Sequence, residues 1–236
     1  MREHTKQGLG AGILLVAFVI WTVLIQSVDV QCIGPHGSAV GFAAFNQWFH
    51  RLSGVHMGIY TVTDWLGLVP ILICLCFGAL GLGQWIRRRS LLQVDVDILL
   101  LGVYDVVVIF AYLFFEMVPI NYRPVLINGV LEASYPSSTT LLVLSVMPTL
   151  DDQVRRRCTH PHLRAGAALF AGLFSAFMVL GRLISGVHWA TDIIGAVLLS
   201  AGLFLLYRFT TGLMECRRSG AQQEGAAWNS TKNYRN

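Results

Sequence analysis

The chain has 236 residues, of which 55% are hydrophobic and only 13% carry charge, with a formal net charge of +4. Soluble domains hold about 25% charged residues, so this composition excludes an ordinary water-soluble globule and points to a bilayer. The basic residues fall in short clusters between apolar stretches, which reads as membrane topology rather than as a nucleic-acid surface.

Six apolar stretches follow in chain order, 8–28, 65–86, 98–115, 133–150, 165–181 and 193–207. A spanning helix needs about 20 apolar residues, within a range of ~17–25, so the last stretch must borrow its flanks. The first is too long for a signal-peptide core and no small-residue cleavage site follows it, so a retained helix is expected. Hydrocarbon leaves open backbone groups without partners, and only helices solve that problem for segments of this kind. The expected fold class is therefore all-α: a polytopic bundle of six transmembrane helices in one domain, residues 1–218. Residues 219–236 are polar and show no apolar period, which predicts a disordered tail. Between the first two stretches, residues 29–56 carry Phe45-Asn46-Gln47-Trp48-Phe49. This segment predicts an outer loop with a short interfacial amphipathic helix, its Trp48 and Phe49 at headgroup level.

If the six helices alternate, every Lys and Arg except Arg51, Arg123 and Arg182 falls on one side. The positive-inside rule then predicts both termini in the cytoplasm and a multi-pass protein of the cell membrane. Cys32, Cys74, Cys76, Cys158 and Cys216 are odd in number and scattered over helices and both faces. They suggest neither a disulfide framework nor a metal site.

The densest chemistry lies in Gly181-Arg182-Leu183-Ile184-Ser185-Gly186-Val187-His188-Trp189-Ala190-Thr191-Asp192. Ionisable groups at an apolar helix boundary are expensive, which makes them candidates for function. His188 and Asp192 are four apart and share a helix face, so the carboxylate can orient the imidazole. Arg182 offers a fork of donors suited to phosphate oxygens. The bland alternative is three polar residues capping a helix. Two further segments bear on the choice: Asn121-Tyr122-Arg123-Pro124 after the third stretch, and Tyr135-Pro136-Ser137-Ser138-Thr139-Thr140 within the fourth.

In this order, Arg-Pro, Pro-Ser and Arg-x5-His-x3-Asp, the chain resembles the type 2 phosphatidic acid phosphatase (PAP2) superfamily of membrane phosphatases. The motifs span residues 116–192, and the third matches at Arg182, Gly186, His188 and Asp192. The resemblance implies a six-helix membrane phosphatase. His188 would attack a phosphoryl group to give a phosphohistidine, with Asp192 orienting its ring. Arg123, Arg182, Ser137 and the backbone N–H groups at the next helix start, around Ser138 and Thr139, would hold the phosphoryl oxygens. It implies no metal and no cofactor, because arginines and backbone supply the charge stabilisation. The implied partners are the bilayer and a lipid phosphate or diphosphate at the outer leaflet; the oligomeric state is left open.

Four positions depart from the family pattern. Glu116 stands where the first motif has Lys, Ser138 and Thr139 replace the Gly and His of the second, and Gly181 replaces a Ser. The missing His is the family's general acid, and threonine cannot donate a proton near neutral pH. Positioned acid–base catalysis contributes ~10²–10⁴-fold, so such a site is slowed rather than dead. A phosphate leaving group, with a second pKa near ~6, needs little protonation, whereas an alkoxide needs much. That favours a lipid diphosphate, such as a polyprenyl diphosphate, over a monoester. Two other classes stay open: a transferase of phospho-headgroups, in which Glu116 attracts a cationic headgroup, and a catalytically impaired lipid-phosphate binder.

Several polar residues have plain readings. Asp105 inside the third stretch suits a helix–helix hydrogen bond better than a relay. Asp64 suits an interfacial or capping charge. Glu116 and the outer-loop His36, His50 and His56 are candidates for the missing acid, and Glu132 is either a loop charge or a partner of an arginine.

Overall fold

The computed structural model describes the backbone of residues 2–233 and the side chains of residues 4–216. Eight α-helices follow in order: α1 Arg2–Ser27, α2 Ala43–Ser53, α3 Met57–Leu66, α4 Leu68–Arg88, α5 Val96–Met117, α6 Ser138–Arg157, α7 Pro161–Ile184 and α8 Ala190–Asn233. Among the described residues there is no strand, only three isolated bridges in loops. The molecule is all-α, as the apolar stretches require.

Five helical segments are long and apolar enough to cross a bilayer: His4–Ser27, Met57–Arg88, Val96–Met117, Pro161–Ile184 and Ala190–Cys216. The fourth expected stretch, now α6, differs in kind. It packs against α4, α5, α7 and α8 and buries Leu141, Val143, Val146 and Met147. Protein surrounds it, so it carries polar residues such as Ser145, Thr149 and Gln153, buried without lipid contact.

Two boundaries move from their expected places. The second crossing begins at Met57, because α3 and α4 run on through Gly67 in helical conformation (φ −59°, ψ −16°). Residues 133–137 are not helical, and α6 starts only at Ser138. Pro136 explains this, since the residue before a proline is pushed out of the α region. The expected amphipathic helix of the outer loop is α2. The tail expected to be disordered, 219–236, instead continues the backbone of α8 as far as Asn233; residues 234–236 lie outside the described residues.

The main core joins α1, α5, α6 and α8 through Phe18, Leu101, Tyr104, Leu141, Leu199 and Leu203. The pair α1–α8 lies close, and a methyl built on Gly202 would come within 2.9 Å of Leu15. Lipid competes with apolar side chains for helix contact, so small residues that let backbones approach hold such pairs. At the arginine-rich end, buried Asp152 of α6 accepts from Arg156 Nε at 2.7 Å and from Arg208 of α8. Asp97 of α5 pairs with Arg157 at 2.7 Å. These contacts tie the ends of α5, α6 and α8 together, opposite the end that carries the motifs.

Candidate active site

The chain between α5 and α6 folds back on itself. Asn128 and Gly129 have φ of 51° and 79°, and Ile127 and Val130 exchange backbone hydrogen bonds around them. Asn-Gly with both φ positive is the sequence preference of a type I′ hairpin turn. The two arms then pair: Arg123 N–H donates to Glu132 O at 3.1 Å, and Ser134 N–H to Asn121 O at 2.9 Å. This small hairpin carries Asn121, Arg123, Glu132 and Ser134 to the ends of α7 and α8.

The turn from α7 to α8 brings Arg182, His188 and Asp192 to the same place. Gly186 makes the turn at φ +69°, where an added methyl would stand only 2.0 Å from Gly54 O. Asp192 is the third residue of α8, and its Oδ2 accepts from the Trp189 N–H at 2.9 Å. That is the back-reaching half of a capping box, so the capping role weighed from sequence is real. It is not the whole role. Asp192 Oδ1 also accepts from Asn121 Nδ2 at 3.3 Å, and Oδ2 accepts from the Ser134 hydroxyl.

The expected direct contact between His188 and Asp192 is replaced by a bridge. Nδ1 of His188 is 3.9 Å from Asp192 Oδ2, but 3.2 Å from both the hydroxyl and the carbonyl oxygen of Ser134. With the Ser134 hydroxyl donating to Asp192, Nδ1–H donates to Ser134 and Nε2 keeps its lone pair. His188 is buried, and Nε2 has no partner. Desolvation first, then the charges of Arg123 and Arg182, hold the imidazole well below its ordinary value, so it is neutral. A neutral imidazole with a free, buried Nε2 is a nucleophile in waiting.

Beside it lie two buried arginines. Arg182 is 1% exposed and Arg123 6%. Asp64 Oδ1 is 3.5 Å from Arg182 Nη1, and Glu132 Oε2 is 3.1 Å from Arg123 Nε. Neither approach has hydrogen-bond geometry, and Nε and Nη1 of both arginines are left without an acceptor. Unmatched buried donors are costly, so this pair is built for an anion. The Tyr60 ring lies 5.0 Å from the Arg182 guanidinium carbon and 5.7 Å from that of Arg123, and holds both in place.

Both arginines line a cavity of about 630 Å³ between α3–α4, α5 and the start of α6. Ser138, Thr139 and Glu116 line it as well. Ser137 does not: it is fully buried, and its hydroxyl donates to Thr140 Oγ1 at 3.0 Å. Its backbone N–H donates to Asp192 O at 3.2 Å. Among the residues expected to hold phosphate, Ser137 therefore braces the start of α6, while Ser138 and Thr139 face the cavity. The outer-loop histidines are elsewhere. His50 packs tilted against Trp189, ring centroids 5.5 Å apart, and His56 Nε2 contacts Ser53 O at 2.8 Å. Asp64 is no simple capping charge, since it sits beside Arg182. Glu132 is the arginine partner of its two readings, and Asp105 reaches the deep wall of the cavity beside Cys74. Among the described residues, no group of three His, Cys, Asp or Glu side chains is arranged to hold a metal ion.

Sequence reasoning missed Ser134, Asn121 and Tyr60. Asn128-Gly129 was the available signal for the first two, since a hairpin there sets residues 121 and 134 opposite each other. Tyr60 has no local signal.

No protein-family model and no curated protein matches the chain. Among solved structures it is similar to the first transmembrane PAP2 type phosphatidylglycerolphosphate phosphatase from Bacillus subtilis. The TM-score is 0.52 at 17% identity, over 86% of this chain and 96% of that one. At that identity the likeness speaks for architecture alone. The chain is a multi-pass membrane protein with the PAP2-type fold.

Proposed function

We propose that this protein is a membrane lipid phosphatase that works through a phosphohistidine at His188. The observation that carries the reading is the trio of orphaned groups: Nε2 of His188 and the unmatched donors of Arg123 and Arg182. In the proposed cycle, Nε2 forms a bond to phosphorus as the P–O bond to the lipid breaks. The leaving alkoxide takes a proton from a water in the cavity. A second water then attacks phosphorus, the N–P bond breaks, and its proton neutralises the hydroxide left by the first. Asp192, acting through Ser134, holds the imidazole tautomer throughout. Arg123, Arg182 and the unpaired N–H groups of Ser138 and Thr139 stabilise the phosphoryl oxygens. In this reading α6 is also a crossing, the fourth of six, the termini are cytoplasmic and the site opens at the outer leaflet.

A lipid diphosphate is the second reading, favoured by one observation: Thr139 lines the cavity at the position of the family's acid, and no histidine lines it. One experiment tests both. Purified protein is given matched lipid mono- and diphosphates, and acid-labile phosphoprotein is trapped in single turnover. His188→Ala is expected to abolish release of inorganic phosphate and the trapped intermediate. Full activity in that variant would end the proposal. Thr139→His is expected to speed monoester cleavage more than diphosphate cleavage, because only the alkoxide gains from a better acid. Equal acceleration of both would show that residue 139 acts through binding rather than proton transfer.

A further inference from the structure

The anion site is ringed by carboxylates. Asp64, Glu116 and Glu132 line the same cavity as Arg123 and Arg182, with Asp105 on its deep wall, four carboxyl groups against two guanidiniums. The two signs are not mixed at random. The arginines form a buried floor, whereas Glu116 is exposed and the side chains of Asp64 and Glu132 are 55% and 38% exposed. Glu132 lies 3.1 Å from Arg123 Nε and Asp64 3.5 Å from Arg182 Nη1, but neither approach has hydrogen-bond geometry, so a phosphoryl group that takes up those donors leaves both acids without a cation. Glu116 has no hydrogen-bonded cation at all. It lines the cavity together with Arg123 and Glu132.

A lone phosphoryl group would satisfy the floor and leave the rim uncompensated. A second phosphate would meet the rim as a like charge. The matching ligand carries a positive group a few ångströms from its phosphoryl. Accordingly, we propose that this site selects an amine-bearing lipid phosphate, its phosphoryl on Arg123 and Arg182 and its ammonium between Glu116 and Glu132. Tyr112 lies one helical turn before Glu116, lines the same cavity and offers a ring face to the cation. The proposal rests on the lipid-phosphate reading above and names its substrate class. The shared chemistry, phosphoryl plus ammonium, has two lipid sources. One is a long-chain amino-alkyl phosphate monoester; the other is a phosphodiester of an amino alcohol, such as phosphatidylethanolamine.

The test measures binding separately from turnover. Full-length protein in an uncharged detergent is titrated with non-hydrolysable phosphonates of one chain length. One bears an ammonium two carbons from phosphorus, one a hydroxyl there, and one is a diphosphonate. The ammonium compound is expected to bind roughly tenfold tighter than the hydroxyl compound, about 1.4 kcal/mol, and the margin to shrink with salt. Glu116→Gln and Glu132→Gln should each erase most of that margin, and Glu116→Gln should tighten the diphosphonate. Equal affinities, a preferred diphosphonate, or no binding of any phosphonate would overturn the proposal. Competition by phosphatidylethanolamine but not phosphatidylglycerol assigns the diester source. Competition only by the amino-alkyl monophosphate assigns the monoester. An ammonium preference without phosphate release from any lipid would sink the phosphatase reading and leave this one standing. Phosphate release without an ammonium preference would do the reverse.

Discussion

Ser134 is the residue on which the His188–Asp192 pair turns. Its hydroxyl reaches the carboxylate and its hydroxyl and carbonyl oxygens both reach Nδ1, so one serine couples two groups 3.9 Å apart. Ser134→Ala keeps the carbonyl acceptor and loses the link to Asp192. It is expected to lower kcat by about ten- to a hundredfold with KM nearly unchanged, below the ~10⁴ cost of a wrong tautomer. Steady-state kinetics on the best lipid phosphate reads this split, and a shift in KM alone would speak for a packing role. The pH dependence belongs to the same residues. Burial and two arginines hold His188 well below its ordinary ~6.5. The nucleophile therefore stays unprotonated as pH falls through 6.5, and the acid limb of kcat/KM is expected below that value. The sign for stability is fixed by the same shift. Unfolding lets the buried neutral ring take up a proton below ~6.5, so stability falls with pH from there downward and is untouched above. A rate profile and a thermal midpoint measured from pH 5 to 8 check both statements.

At the scale of elements, the tight turn between α7 and α8 sets the geometry of the site. Gly186 has φ +69° and lies against the backbone of Gly54, which closes α2. A left-handed conformation costs a residue with a Cβ about 1–2 kcal/mol, before any clash is counted. Gly186→Ala is expected to lower the thermal midpoint and to cut activity by more than a hundredfold, because His188 is two residues on. Gly12→Ala makes the contrast: a Cβ added there meets nothing within 4 Å, and α1 is helical at that point. Alanine is favoured over glycine in a helix by about 1 kcal/mol, so that variant should keep or raise the midpoint with unchanged activity. Loss at both positions would mean that the α7–α8 turn has no special weight.

For the whole molecule, alternation of the helices puts every motif residue at one end and the Asp152 network at the other. The chain carries its own reporters of orientation. Cys32, in the loop after α1, and Cys216, toward the far end of α8, are both exposed. In a chain keeping only one cysteine at a time, an impermeant maleimide should label Cys32 in intact cells and Cys216 only after permeabilisation. The opposite pattern would place the site in the cytoplasm and end the outer-leaflet reading.

The sequence by itself determined the architecture and the reacting groups. Apolar stretches of spanning length leave the backbone one solution, a helix, although several helix ends lie well beyond the apolar stretches, as at Met57, Arg157 and Asn233. Arg182, His188 and Asp192 were legible because five and three intervening residues bring them to one turn and one helix start, a local matter. Arg123 was legible as a motif residue, but its place beside Arg182 was not. Tertiary structure alone decided the rest: Ser134 between His188 and Asp192, Tyr60 against both arginines, and Asp64 beside Arg182. These contacts join residues 54 to 122 positions apart. Hydrophobic periodicity carries no record of which helix end meets which, because burial in a bundle is set by side-chain packing between segments rather than within them. The same reason explains Ser137. Its motif position suggested a phosphate ligand, and only the packing of α6 on α8 shows its hydroxyl turned to Thr140 and its N–H to Asp192.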